Sequence, residues 1–126
     1  MARITKRTLA DRHQQDRGWG REHWIENMPE YCGKILVVKP AKRGSLHFHH
    51  NKKETMLVIS GAMRIRLVDT ETAEEYEQIL FKDESILIEQ GQPHQICNLM
   101  DTEDLVLVEF STIHEETDSK RLQKGD

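Results

Sequence analysis

Gly44-Ser45-Leu46-His47-Phe48-His49-His50-Asn51-Lys52-Lys53-Glu54, then six residues to Gly61, is the stretch that decides how this chain folds. A second pattern lies downstream: Glu89-Gln90-Gly91-Gln92-Pro93-His94, then three residues to Asn98. Successive side chains on a strand point to opposite faces, so His47 and His49 share a face if the segment is extended. Four residues, His50 to Lys53, separate His49 from Glu54. That is a common hairpin length, and it predicts Glu54 opposite or nearly opposite His49 on a partner strand. His94 is expected from a second hairpin, with Gly91 and Pro93 shaping the turn before it. Imidazole and carboxylate donors meeting at one point suit a divalent first-row metal. The metal ligands expected are His47, His49, Glu54 and His94, and on a six-coordinate ion they leave positions open for water or substrate. His50 faces away from His49 and belongs to the loop. A lone His-x-His pair is a weak signal. The glutamate and glycine at matching offsets, with the second pattern, make it specific.

The bulk composition bounds the rest. A chain of 126 residues is expected to form one domain around a single core. With 37% hydrophobic and 32% charged residues it reads as a soluble protein. No apolar run approaches the roughly 18 residues of a membrane span. Met1 to Arg7 lacks the apolar core of a signal peptide, so the expected location is the cytoplasm. A net charge of −4 gives no general attraction for nucleic acid. Residues 1–21 do carry Arg3, Lys6, Arg7, Arg12, Arg17 and Arg21 against Asp11 and Asp16. Such an arm reads as solvated, or as a short helix packed outside. Cys32 and Cys97 match no zinc spacing and read as reduced, core-packed thiols.

Along the chain, residues 1–16 read as an N-terminal arm and residues 17–126 as a single domain. Gly18-Trp19-Gly20 breaks any helix. Arg21 to Ile25 reads as a first edge strand and Asn27 to Glu30 as a turn. Lys34 to Lys39 is rich in β-branched residues and stops at Pro40. Ser45 to His49 and Thr55 to Ser60 follow. From Ala62 to Val68, Met63, Ile65 and Leu67 alternate with Arg64 and Arg66, the pattern of a half-buried strand. Asp69 to Glu74 reads as a hairpin tip. Tyr76 to Phe81, Ser85 to Glu89, Gln95 to Asn98 and Leu105 to Phe110 complete the strands. Ser111 to Asp126 reads as a polar C-terminal tail lying on the barrel. Many short strands with regular turn signals predict an all-β sandwich or barrel.

The two patterns resemble the signature motifs of the cupin superfamily. The first matches at Gly44, His47, His49, Glu54 and Gly61, the second at Gly91, His94 and Asn98. The resemblance implies a jelly-roll β-barrel, also called a double-stranded β-helix. A closer resemblance covers most of the chain. Arg17-Gly18-Trp19-Gly20, Lys34 to Pro40, Ser45-Leu46, Gly91-Gln92-Pro93-His94 and the tail Glu116 to Arg121 are similar to the cupin domain of type II phosphomannose isomerases. Thr55-Met56 and His47 depart from that group, where a histidine–tryptophan pair and often a glutamine stand.

That resemblance implies a metal-dependent aldose–ketose isomerase acting on a phosphorylated sugar. The cofactor is one divalent transition metal (zinc, manganese, iron, nickel or cobalt). A phosphate handle needs lysine or arginine. Lys34 and Arg121 are the candidates because both lie in matching segments; Arg64 and Arg66 are weaker ones. If Glu54 binds metal, the proton-shuttling base must be another group. Trp19 is expected at the barrel mouth or wall. Two other classes use the same ligands: a non-haem metal dioxygenase, and a non-catalytic module binding metal and sugar. Small cupins resemble dimers in which N-terminal segments cross over, so a homodimer using the edge near residues 17–32 is expected.

Overall fold

In the computed structural model, residues 2–126 are described. Eleven strands follow in order: Gln14–Arg17 (β1), Gly20–Met28 (β2), Tyr31–Val38 (β3), Leu46–His49 (β4), Glu54–Ser60 (β5), Met63–Val68 (β6), Glu75–Leu80 (β7), Ser85–Ile88 (β8), His94–Asn98 (β9), Leu105–Ser111 (β10) and Ser119–Gln123 (β11). They form two antiparallel sheets. The six-stranded sheet runs β1-β2-β3-β10-β5-β8 and the five-stranded sheet β11-β4-β9-β6-β7. No helix among the described residues is long and apolar enough to cross a membrane.

The alternation read from the sequence places the core between the sheets. Met63, Ile65 and Leu67 are all buried, while Arg64 and Arg66 face outward. Leu36 and Val38 on β3, Met56 and Val58 on β5, and Leu105 and Leu107 on β10 meet them from the other sheet. Each fully buried aliphatic side chain is worth about 1.5–3 kcal/mol of transfer free energy.

The strand connections differ from the expected hairpins. β4 lies in the five-stranded sheet and β5 in the six-stranded sheet, so His49 and Glu54 are not partners across a hairpin. Glu54 instead pairs with Ile88 on β8 and with Ser111 on β10. Likewise β8 and β9 belong to different sheets, so His94 follows a crossover. Gly91, at φ +77, makes the turn inside that crossover. Gly61, at φ +85, turns the chain where a Cβ would stand 2.7 Å from the Asp104 carbonyl oxygen. Only glycine meets both demands there.

Both ends of the chain carry more structure than their composition suggests. β1 begins inside the expected arm and pairs with β2. Leu9–Asp11 forms one 3-10 turn. β2 runs on through Met28, so the expected turn at Asn27 to Glu30 narrows to Pro29-Glu30 before β3. The polar tail is not a loose covering: β11 joins the sheet beside β4, with Arg121 opposite His47 and Ser119 opposite His49. Just before it, the Asp118 carboxylate accepts the backbone N–H groups of His50 and Asn51, each at 3.0 Å, and of Lys52 at 3.1 Å. Burial opposes its charge, but these N–H groups outweigh it and hold Asp118 below the ordinary aspartate range. The C-terminal segment thus fastens the loop joining β4 to β5.

Asp118→Ala should therefore cost about 2–3 kcal/mol of unfolding free energy, the scale for hydrogen bonds to a charged acceptor. Urea denaturation should show a lower midpoint with an unchanged slope.

Candidate metal centre and its cavity

β4 projects His47 and His49 from one face, and β9 opens with His94 directly across from His47. The ring centroids are 4.6 Å apart for His47 and His94, 4.9 Å for His47 and His49, and 5.7 Å for His49 and His94. One ring nitrogen from each lies within 4.8 Å of the others, so the three could hold a metal ion. Two of the rings have a fixed orientation. His47 Nδ1 lies 3.1 Å from the Ser45 carbonyl oxygen and His94 Nδ1 2.9 Å from that of Gln92. A carbonyl oxygen only accepts, so each Nδ1 carries the proton and each Nε2 is turned to the cluster. Burial holds His47 neutral, with its pKa lowered to about 4, and His49 likewise, to about 3.

Glu54 reaches the cluster from the opposite sheet. Its Oε1 lies 2.7 Å from His94 Nε2. The two atoms are not aligned as a hydrogen bond, and Glu54 Oε1, His94 Nε2 and His49 Nδ1 are buried without a hydrogen-bond partner. Burial alone would lower His94; the neighbouring Glu54 carboxylate overcomes this and raises it. Burial likewise opposes the charge on Glu54, yet His94 and Lys52 hold its carboxyl well below the usual range. Orphaned buried polar atoms are costly, and here they sit at and beside the three-histidine group, which has the chemistry of a divalent cation site, with Glu54 against His94. The donor set fits such an ion.

Lys52, read from the sequence as part of a loop, is buried in the interior. Its Nζ lies 2.8 Å from Glu109 Oε2, 3.1 Å from Glu54 Oε2 and 3.2 Å from His114 Nδ1. An ammonium only donates, so His114 Nδ1 accepts and its Nε2–H donates to Glu116 Oε1 at 3.1 Å. Burial opposes the charge on Lys52, but Glu109 and Glu54 outweigh it and raise its pKa above that of an ordinary lysine.

A cavity of about 400 Å³ opens beside the cluster. His47 and His49 form part of its wall, whereas His94 and Glu54 lie behind them. Lys34 and Arg121, the expected phosphate-handling residues, both line it. Lys34 is buried, with Nζ 4.1 Å over the Trp24 ring and 3.6 Å from Glu22 Oε1. Glu22 is also held by Arg17 at 2.8 Å. Lys34 Nζ makes no hydrogen bond among the described residues. Arg121 is exposed beside His47 and forms no ion pair among the described residues. Trp19 lies in the wall, as expected, and packs on the core. Arg64 and Arg66 do not reach the cavity; they face Glu77 at 3.8 Å and Glu75 at 3.2 Å on the outer surface. Asn98, the last residue of the second pattern, is structural: its amide donates to the carbonyls of Val38, Lys39 and Glu103.

Among the wall residues that the sequence did not single out are Lys52, Glu109 and His114. Glu109 carries a visible signal, since Leu105, Leu107 and Glu109 share the buried phase of β10. A carboxylate on the inward phase of an apolar strand is anomalous.

The antiparallel jelly roll and its clustered histidines define a cupin. Within that class, the chain belongs to the mannose-6-phosphate isomerase C-terminal family, whose profile matches residues 5–124. It is similar to mannose-1-phosphate guanylyltransferase 2 of Escherichia coli O157:H7, at 29% identity over 99 residues, covering 78% of this chain and 19% of that protein. The mannose-1-phosphate guanylyltransferase ManC of Salmonella typhimurium is 30% identical over 108 residues, 85% of this chain and 21% of that one. The chain thus spans about a fifth of the length of these relatives. Among solved structures, the capsular polysaccharide assembling protein CapF from Staphylococcus aureus superposes with a TM-score of 0.79 at 26% identity, over 88% of this chain and 31% of that one. Oxalate decarboxylase from Bacillus subtilis shares the fold, with a TM-score of 0.79 at 19% identity over 97% of this chain and 33% of its own.

His94→Ala removes a donor while leaving the barrel strands intact. Metal affinity should fall by more than the roughly 10- to 100-fold that an outer-shell partner commands. Elemental analysis of the purified variant, beside its circular dichroism, measures both consequences.

Proposed function

We propose that this domain is a metal-dependent isomerase that interconverts an aldose phosphate and its ketose, mannose 6-phosphate and fructose 6-phosphate being the pair suggested by the family. The observation that supports this most is the cavity itself: one wall offers clustered imidazoles and the others offer cations with unused donors. Its size, about 400 Å³, lies within the range of small-ligand pockets. His47, His49 and His94, with Glu54 as fourth donor, would hold one divalent transition metal (zinc, manganese, iron, nickel or cobalt). Bound there, such an ion supplies Lewis-acid polarisation of sugar oxygens. Lys52 engages Glu54 Oε2, which leaves Oε1 as the oxygen facing the histidines.

Lys34 and Arg121 have distinct tasks in this reading. Lys34 is fixed by the Trp24 face and presents a desolvated ammonium from the six-stranded sheet. Arg121 presents a planar guanidinium from β11, suited to two phosphate oxygens at once. Gripping the phosphate from opposite walls would orient the carbonyl end of the sugar toward the histidines.

The test is to quantify metal in the purified protein and to assay mannose 6-phosphate conversion on the same sample, with and without chelator. Stoichiometric metal and chelator-sensitive conversion are expected. Metal without conversion would discard this substrate and turn attention to oxygen chemistry or ligand binding alone. Arg121→Ala should raise KM about 10- to 100-fold with a smaller effect on kcat, the scale of one or two charge-assisted hydrogen bonds.

A further inference from the structure

Glu109 occupies a place that packing alone does not explain. It sits on β10, which is central in the six-stranded sheet, with Lys34 of β3 and Met56 of β5 as its cross-strand neighbours. All three line the cavity, in the sheet that faces the one carrying His47 and His49. The preceding inward residues, Leu105 and Leu107, are fully buried core. A leucine at position 109 would continue that core without the desolvation cost of a buried carboxylate. Lys52 engages only Oε2, at 2.8 Å, and Oε1 makes no hydrogen bond among the described residues.

The other cavity carboxylates are engaged. Glu22 is held by Arg17 and faces Lys34. Glu116 accepts from His114 and its side chain is 73% exposed. Asp126 accepts the Arg43 backbone N–H. Glu54 lies behind the cavity wall, against His94 and Lys52.

We infer that Glu109 is the catalytic carboxylate that carries the proton between the two reacting carbons, an inference that rests on the isomerase reading. Glu109 Oε1 takes the proton from C2 of the open-chain aldose. The C–H electron pair becomes the C1–C2 double bond, and the former carbonyl pair moves onto O1. The hydroxyl proton on O2 passes to O1. Glu109 then returns its proton to C1 as the O2 electron pair forms the carbonyl at C2. No oxidant or reductant is consumed, and the carboxylate is regenerated. Lys52 keeps the carboxylate turned by its other oxygen.

Glu109→Gln keeps the shape and can still accept from Lys52, but it cannot take the proton. With metal content and sugar-phosphate affinity close to wild type, kcat should fall about 10²- to 10⁴-fold. Deuterium uptake at C2 from heavy water, read by NMR, should fall in parallel. In Glu109→Ala, added formate should restore part of the turnover, which a residue needed only for packing would not allow. Conversion or exchange by Glu109→Gln at more than a tenth of the wild-type rate would overturn the assignment. So would a loss that tracks metal content and melting temperature and resists formate. If metal-loaded wild-type protein neither converts nor exchanges the substrate, the isomerase reading itself fails and the role of Glu109 falls with it.

Discussion

Three charged side chains, Lys52, Glu54 and Glu109, are buried together between the two sheets, and the surrounding architecture keeps them paired. Taking an ion out of water costs several kcal/mol even after relaxation. Lys52 offsets that cost for both carboxylates at once, and each carboxylate engages it through one oxygen. Removing the lysine would strand two buried negative charges; removing one carboxylate would strand less. A nonpolar cluster of the same volume could pack there at no electrostatic cost. A buried ionic cluster lining a cavity, with proton affinities shifted by its partners, has the character of a functional rather than a stabilising feature.

The fold was legible in the sequence at the level of strands. Period-two alternation at Met63, Ile65 and Leu67 and β-branched runs before Pro40 reflect burial of one face, which acts locally. Pairing partners were not legible in the same way. A four-residue loop such as His50 to Lys53 serves a hairpin and a crossing between sheets equally well. What settles it here is the covering of both sheet faces across the barrel, a property of the whole chain. Glu54 consequently reaches the histidines, as expected, but from the opposite sheet rather than from a neighbouring strand. The tail was misjudged for a related reason. Ser119 to Gln123 is polar and carries no apolar alternation, because β11 is exposed along most of its length and is held by backbone pairing with β4.

The site divides along the same line. The histidines stood out because their spacing suits one metal. Lys34 lay in a recognisable segment, and its parity with Leu36 and Val38 matches its burial. Lys52 gave no such sign: it sits among polar loop residues, and only the long-range contacts to Glu109 and His114 draw it inside. His114 follows the last long strand, where periodicity has ended.

The two walls of the cavity are supported unequally, and this bears on how the site is held. Lys34 and Glu109 stand on β3 and β10, which pair over seven residues each and sit inside the six-stranded sheet. His47 and His49 stand on β4, a strand of four residues whose register with β9 is the single pair His47–His94. The Arg43–Cys97 bridge and the Gly44 N–H bond to the Ile96 carbonyl extend that contact only before β4 begins, so the strand itself leans on its other neighbour. β11 supplies that second neighbour, and Asp118 fixes the loop that leaves β4 through three backbone N–H groups. The histidine geometry therefore depends on a C-terminal segment far away in sequence. Because Arg121 lies on that same segment, the strand that steadies His47 and His49 also presents a cation to the cavity. One strand thus supports the histidine wall and the guanidinium that lines the cavity.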